Sequence, residues 1–481
     1  MVKFWFVSGS QLMYGEETLR EVAENSKVLT DFLRAKLPFA VEYKGTVKSD
    51  EEARAMVVGA NSDPDCGGII VWCHTFSPSK MWIVALGLLQ KPYLHLHTQI
   101  NRSIPNDAID MDYMNLHQSA HGDREHGFLT ERLRMPREIV SGYYQDEKVI
   151  KSIGDWQRAA VGVSESKSLK VARFGDNMRN VAVTEGDKIE AQIKLGWQVN
   201  TFPVGQLVEE MGNVTKQEIQ TKMAEYSSLY TMKDEDTGAV AYQAIEEIAL
   251  KKILDQEGCK AFSNTFEDLY GMRQLPGLAT QNLMRQGYGY GGEGDWKVSA
   301  LTRIAKVMSD APSTFMEDYT YDYDAGLVLG SHMLEVCPSI AEDKPRIEVH
   351  PLGIGGKEPP ARLSFTGKSG AATATCLIDM GQYFRLICAD VECVPPINTY
   401  PHLPVARTMW KPMPNLEEGA AAWIRAGGAH HTVLSYGVTA DMWRMFSRIM
   451  GIQFVSIGKN TDLYPLEKEL ELGDLLWTLK R

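Results

Sequence analysis

Apolar positions at the start of the chain alternate between a strand period and a helix period. Val2 to Val7 reads as a buried strand, and Glu16 to Leu37 as a helix with Leu19, Val22, Leu29, Phe32, Leu33 and Leu37 on one stripe, stopped by Pro38. Phe39 to Val47 is strand-like, Asp50 to Ala60 helical, Gly67 to Cys73 a continuous apolar strand, Lys80 to Gln90 helical, and Tyr93 to His97 another short strand. Such alternation implies a parallel sheet with helices on both faces. The pattern restarts near Lys170, where Val171-Ala172-Arg173-Phe174-Gly175 enters a loop. A helix over Gly186 to Gly196, a strand over Val199 to Val204 and three helix-like runs to about Gln256 follow. Beyond about Pro312 the segments become short and alternating, as in Ala361 to Phe365, Thr373 to Ile378 and Phe384 to Ala389, which predicts a β-rich barrel or sandwich. The predicted fold class is α/β: two doubly wound, Rossmann-like parallel-sheet domains followed by a β-rich, barrel-like C-terminal domain.

Composition narrows the function. A chain of 481 residues, 44% hydrophobic and 23% charged, is an ordinary globular protein with room for roughly three domains. Its formal net charge of -12 disfavours a nucleic-acid partner. The seven cysteines (Cys66, Cys73, Cys259, Cys337, Cys376, Cys388, Cys393) are odd in number, scattered and never spaced C-x-x-C, so neither a disulfide framework nor a thiolate zinc site is indicated. The opening apolar stretch becomes loop too soon for a signal-peptide core, and no run approaches the roughly 18 apolar residues of a membrane span. A cytoplasmic protein without membrane contact is expected.

The chemistry sits in short words of the second half, each holding a potential metal ligand. They are Gly-Gly-Glu-Gly-Asp-Trp-Lys around Glu293, Phe-Met-Glu-Asp-Tyr around Glu317, Gly-Ser-His-Met-Leu-Glu-Val-Cys-Pro around His332, and Gly-Gly-Ala-His-His-Thr-Val around His430 and His431. Two carboxylates and one or two imidazoles can hold a divalent cation with positions left open for an oxygen-rich substrate. Each residue has a plainer alternative. Glu293 could be a surface acid in a glycine-rich loop, Glu317 an acid at the end of an element, and either histidine a packed, hydrogen-bonded side chain. Spacing alone does not choose between His430 and His431, since neighbours in a strand point to opposite faces. The run Gly-Tyr-Gly-Tyr-Gly-Gly from Gly287 invites a dinucleotide reading, but it follows the helical stretch Leu278 to Arg285 rather than a strand. Lys297, Lys357 and Arg124 sit in no phosphate-binding loop.

With Ser-Gly-Ser-Gln-Leu-Met-Tyr-Gly-Glu-Glu-Thr-Leu at 8–19, His-Thr-Phe-Ser-Pro-Ser-Lys from His74, Met-Asn-Leu-His-Gln-Ser-Ala-His-Gly-Asp-Arg-Glu at 114–125 and Phe-Glu-Asp-Leu-Tyr-Gly from Phe266, these words give a chain that resembles the L-arabinose isomerase family from Phe4 to Lys480-Arg481. The resemblance implies an intramolecular oxidoreductase that converts L-arabinose to L-ribulose, and D-galactose to D-tagatose. Isomerisation needs a polarised carbonyl and an acid/base pair working through an enediol. By resemblance Glu293 and Glu317 are that pair, and Glu293, Glu317, His332 and His431 hold the metal, usually Mn2+, with Co2+ or Mg2+ possible and no nucleotide cofactor. Glu335 is expected to matter much less. The implied sugar contacts are Gln11, Met13, Gln118, His121, Met178, Phe266, Phe315, Met333, Ile354 and His430; Met13 stands where the family often has Leu. Gln118 and His121 lie far along the chain from the metal words, which the family explains by a neighbouring subunit supplying them, in a homo-oligomer that is a trimer or a hexamer built as a dimer of trimers. Domains of 1–169, 170–312 and 313–481 are expected, their boundaries leaning partly on the family. The rival readings are an isomerase of the related L-fucose type acting on another aldose, a non-catalytic sugar-binding protein and a nicotinamide dehydrogenase.

Overall fold

The computed structural model describes residues 2–233 and 236–479; the closing Lys480-Arg481 of the family match lies outside them. The chain divides between Ser164 and Glu165 into two compact units.

The first unit holds five parallel strands: β1 (Lys3–Gly9), β2 (Ala40–Val47), β3 (Cys66–Cys73), β4 (Tyr93–His97) and β5 (Glu138–Ser141), in the order β2-β1-β3-β4-β5. That order is a doubly wound one, and its topological switch point lies between β1 and β3, where ligand crevices form at the carboxyl ends of the strands. The expected helix after β1 is present as Gly15–Lys36, burying Val22, Leu29 and Leu33, with Arg34 and Lys36 in its last turn complementing the helix dipole. β3 is buried along its whole length, as its unbroken apolar run requires. The expected helix at 80–90 is instead a 3-10 turn, Ser79–Trp82, running into the short helix Ile83–Leu88.

At the switch point Ser10 and Thr75 share a 2.8 Å hydrogen bond between hydroxyls. The helix Ser119–Arg132 is pinned there by Asp123, which is buried. Its carboxylate accepts from the Cys73 backbone at 3.0 Å, His95 Nε2 at 3.0 Å and His97 Nδ1 at 2.8 Å. His126, one turn on, is fully buried, desolvation pushes its pKa well down, and its Nε2 shares a hydrogen bond with the Tyr93 hydroxyl.

The second unit begins with a four-stranded parallel sheet: β6 (Lys170–Phe174), β7 (Gln198–Phe202), β8 (Ala261–Asn264) and β9 (Gly289–Gly291), in the order β7-β6-β8-β9. The three helix-like runs are the helices Val204–Gly212, Lys216–Leu229 and Thr237–Glu257. The barrel follows. Its strands are β10 (Ser313–Asp322), β11 (Leu327–Ser331), then a separate ribbon of β12 (Arg346–Val349) and β13 (Ala361–Ser364), then β14 (Gly370–Asp379), β15 (Phe384–Val394), β16 (Arg407–Pro412), β17 (His431–Ser435) and β18 (Gln453–Ile457). Six antiparallel strands, β14-β17-β10-β11-β16-β15, close on themselves through the β14–β15 ladder, and β18 adds in parallel to β15. Closure leaves no open edge among the six. The expected 170–312 and 313–481 portions share this unit, and one apolar core joins Tyr226, Val240 and Leu278 to Met316, Val328, Trp410 and Leu434.

The Asp123 carboxylate raises the His97 pKa above its ordinary value. Stability from the charged pair is therefore full below about pH 6.5 and lost as pH rises through the raised value. We expect His97→Gln to lower the melting temperature more at pH 6 than at pH 9; an equal or larger loss at pH 9 would contradict this charge assignment.

Candidate active site

Strand alternation in the barrel wall sorts the words around Glu317 and His431. In the β10–β17 ladder Glu317 stands opposite His431 and Phe315 opposite Val433, so all four share one face. Met316 and Leu434, of opposite parity, join the barrel core with Val328 and Trp410. The outer face meets the edge of the parallel sheet, where Tyr290 of β9 stacks edge-on against Phe315 with ring centroids 5.5 Å apart.

Glu293 reaches the same place from the other side. The glycine run read as following a helix is in fact β9 itself, so strand, glycine loop and the helix Trp296–Met308 do succeed one another. The loop is nevertheless unsuited to a phosphate. Asp295 caps the helix, its Oδ1 accepting from the backbone of Lys297 at 3.1 Å and Val298 at 3.2 Å, so the donors an anion would use are taken. Lys297 is itself buried and donates to the Thr184 and Glu185 carbonyls at 2.9 and 2.6 Å. Lys357 likewise donates to the Leu269 and Met272 carbonyls.

The backbone at Glu293 is left-handed, with φ of 60°, and Gly294 follows at 79°. A non-glycine residue there costs about 1–2 kcal/mol. A Cβ on Gly292 would stand 3.1 Å from His332 Cε1, 3.3 Å from its Nε2 and 3.4 Å from Phe315, so a larger residue would push on the His332 ring.

The imidazoles converge on the two carboxylates. Glu293 Oε2 lies 3.6 Å from His430 Nε2 and 3.8 Å from His431 Nε2, and Glu317 Oε2 lies 4.0 Å from His332 Nε2. The His332 and His431 ring centroids are 5.8 Å apart. The alternation argument fails to separate His430 from His431 because β17 begins at His431; His430 precedes the strand and its ring also reaches Glu293. Ligand atoms of Glu293, His430 and His431 lie within 4.8 Å of one another, close enough to share one cation.

Two further acids support the imidazoles: Asp295, which the sequence did not single out, and Glu335, expected to matter much less. His431 Nδ1 lies 3.3 Å from Asp295 Oδ2, and His332 Nδ1 lies 2.5 Å from Glu335 Oε2. A carboxylate only accepts, so each Nδ1–H is donated and each Nε2 keeps its lone pair toward the centre. His431 Nε2 is buried and without a hydrogen-bond partner, which fits a cation ligand. Glu335, taken as minor in the sequence, is fully buried and also within 3.4 Å of the Tyr290 hydroxyl. Its i,i+3 spacing to His332 was the available signal; nothing in the sequence links Asp295 to His431. Burial opposes ionisation of Asp295, but Lys297 and His431 bring its pKa below the ordinary value. The His430 ring beside it, 3.6 Å away, holds the Glu293 carboxyl below its ordinary range, and the same contact raises His430.

The remaining residues of the expected pocket fall into three places. Phe315 packs against His332 and His431 with ring centroids at 4.8 and 5.1 Å, Phe266 stacks on His332 at 6.2 Å, and the Met178 backbone donates to the Glu293 carbonyl at 3.0 Å. Met333, half-buried, follows His332 directly. Ile354 stands partly exposed on the loop between β12 and β13. Gln11, Met13, Gln118 and His121 belong to the first unit. There Gln118 Nε2 donates to the Tyr14 hydroxyl at 3.1 Å, Gln118 Oε1 lies 3.1 Å from His121 Nδ1, and Met13 is 86% exposed. All four flank the switch point of that sheet.

Comparisons with known proteins agree on the class. Family models described as the L-arabinose isomerase N-terminal, central and C-terminal domains match residues 1–168, 170–311 and 312–453. The chain is similar to L-arabinose isomerase 1 of Bacillus licheniformis, at 53% identity over 99% of this chain and 98% of that protein. It is 51% identical to the L-arabinose isomerase of Anoxybacillus flavithermus over 100% of this chain and 98% of the relative, and 51% identical to that of Clostridium beijerinckii over 99% and 98%. The protein is thus an isomerase of the intramolecular oxidoreductase type. It belongs to the L-arabinose isomerase family.

The left-handed Glu293 generates a stability expectation. Glu293→Gly should leave thermal stability unchanged or raise it by up to about 1 kcal/mol, because glycine relieves the strain while adding freedom to the unfolded chain. A loss above about 2 kcal/mol would show that the carboxylate, and not strain, dominates there.

Proposed function

We propose that this protein is a metal-dependent aldose-ketose isomerase converting L-arabinose to L-ribulose, with slower action on D-galactose to give D-tagatose. The observation that carries the reading is the convergence of Glu293, Glu317, His332, His430 and His431 from four separate words onto one point of the barrel wall. Glu293, Glu317, His332 and His431 would hold the cation, and His430 would face the sugar. The oxygen and nitrogen donors, without sulfur, suit Mn2+ first, then Co2+ or Mg2+. Such a cation, when bound, polarises the sugar carbonyl and makes the neighbouring C–H proton removable.

The residues supply the rest. One carboxylate of the Glu293–Glu317 pair takes the proton from C2 and returns it to C1 through the enediol, while the other serves the hydroxyl proton between O1 and O2. The nearby His430 ring lowers the Glu293 pKa, which favours the proton-accepting form of that carboxyl. Phe315 against His332 and His431, and Phe266 against His332, give the site an apolar wall. Seven buried, unpaired thiols suit a reducing compartment, which supports a cytoplasmic location. The three stretches matched by the family models support domains close to 1–169, 170–312 and 313–481.

The decisive experiment incubates metal-stripped protein with L-arabinose, with and without Mn2+, in the absence of nucleotide. A ketose should form only with metal. Glu293→Gln and Glu317→Gln should each lower kcat by about 10² to 10⁴ or more. Glu335→Gln should weaken Mn2+ binding by about 10- to 100-fold, since His332 would lose the acceptor that orients it. Full turnover after exhaustive chelation, or near-parental kcat in either of the first two variants at saturating metal, would sink the reading.

We further propose an active site shared between subunits of a trimer or of a hexamer built as a dimer of trimers, with Gln118 and His121 reaching the sugar held at a neighbour's metal words. What supports it is a polar, histidine-bearing cluster at the first unit's switch point that holds none of the proposed metal ligands. Head-to-tail interfaces in a closed ring can bring two different surfaces together. Co-refolding inactive His121→Ala with inactive Glu317→Gln chains should then restore part of the activity. Mixed oligomers that form and stay as dead as either parent would refute the shared site.

A further inference from the structure

Glu293 and Gly294 form a left-handed pair that must be held from outside, and the holding groups come from the loop after β6 and the end of β8. The Met178 backbone N–H donates to the Glu293 carbonyl at 3.0 Å, and the Gly294 N–H donates to the Asn264 carbonyl at the end of β8 at 2.8 Å. The third hold is a side chain. Asn177, 5% exposed, donates through Nδ2 to the Gly294 carbonyl at 3.2 Å and to the Thr184 carbonyl at 2.7 Å. Its Oδ1 accepts from Arg173 Nη1, and Arg173 is tied in turn to Thr201 Oγ1 of β7 at 3.0 Å and to Asp176 at 2.9 Å. The fit is close: a Cβ on Gly294 would stand 2.5 Å from the Asn177 Cα.

We propose that Asn177, braced by Arg173, is a positioning residue that locks the Glu293 loop in its left-handed, metal-facing form. The inference rests on the reading of Glu293 given above as metal ligand and acid/base group. The side chain's chemistry is specific to the task. Both groups facing Nδ2 are carbonyls, so the position needs a donor, while the group facing Oδ1 is a guanidinium, so it needs an acceptor as well. Only an amide supplies both at this size. An aspartate would keep the volume and the Arg173 contact yet set a carboxylate oxygen against two carbonyl oxygens in a buried place. The brace runs from the ends of β7 and β6 through Arg173 and Asn177 to the residue beside Glu293, so the carboxylate is referenced to the rigid sheet rather than to its own loop.

The test uses the full chain and Mn2+ as the probe. Asn177→Asp and Asn177→Ala are compared with the parent, with Glu293→Gln and with Leu254→Ala, a core truncation on the helix Thr237–Glu257. Three quantities are read: the Mn2+ dissociation constant by titration of the metal's EPR signal, kcat and KM for L-arabinose, and the melting temperature of the metal-free protein. The expected result is a 10- to 100-fold weaker Mn2+ affinity in both Asn177 variants and a lower kcat, while Leu254→Ala loses melting temperature and keeps its Mn2+ affinity. Asn177→Asp is near-isosteric and serves if Asn177→Ala does not fold. The inference is overturned if both variants bind Mn2+ within twofold of the parent while Glu293→Gln is inactive, or if Leu254→Ala weakens Mn2+ as much as they do. An active Glu293→Gln enzyme would overturn the proposed function itself, and this inference with it.

Discussion

Asp295 is the group on which the site's architecture turns. One carboxylate oxygen caps the helix Trp296–Met308, while the other accepts from His431 on the opposing barrel strand. A buried charge of this kind is expensive unless matched, and Lys297, equally buried, lies 3.6 Å away. Removing either partner would strand the other in the interior. The parallel sheet and the barrel are therefore joined by a charge-balanced contact as well as by apolar packing, and that contact fixes which nitrogen of His431 faces the centre.

Element types were largely legible in the sequence because they rest on local period. The strand and helix expected at 2–7 and 16–37 appear as Lys3–Gly9 and Gly15–Lys36, and the β-rich C-terminal portion is a closed barrel. The misses share a cause. The run 80–90 has helical composition, but tertiary packing turns its first part into a 3-10 segment that buries Trp82. The run 287–292 hid a strand because glycine carries no side-chain period, and pairing with β8 alone makes Gly289–Gly291 a strand.

Site legibility followed the same division. Glu293, Glu317, His332, His430 and His431 could be singled out because each stands in a distinctive word, and the fold gathers them. Asp295 was invisible as a partner of His431 because a sequence separation of 136 carries no record of the approach. Asn177 was invisible for a similar reason: its two carbonyl partners at 184 and 294 are backbone groups, which no sequence pattern marks. Buried polar satisfaction is a property of three-dimensional accounting, not of composition.

The distribution of strain and support follows from what the centre must do. Two carboxylates and three imidazoles crowded together would relax apart if their loops were free, since like charges repel and an unpaired buried Nε2 is unfavourable. His431, His332 and Glu317 are instead each held from outside the centre. Asp295 holds His431, Glu335 holds His332, and the β10–β17 ladder holds Glu317. Glu293 alone sits on a loop in an unfavourable backbone conformation, so its placement depends most on neighbours. A cation at the centre would neutralise the crowding without moving any of these supports. The strained Glu293 backbone is thus tolerated because the surrounding sheet and loop hold it from outside.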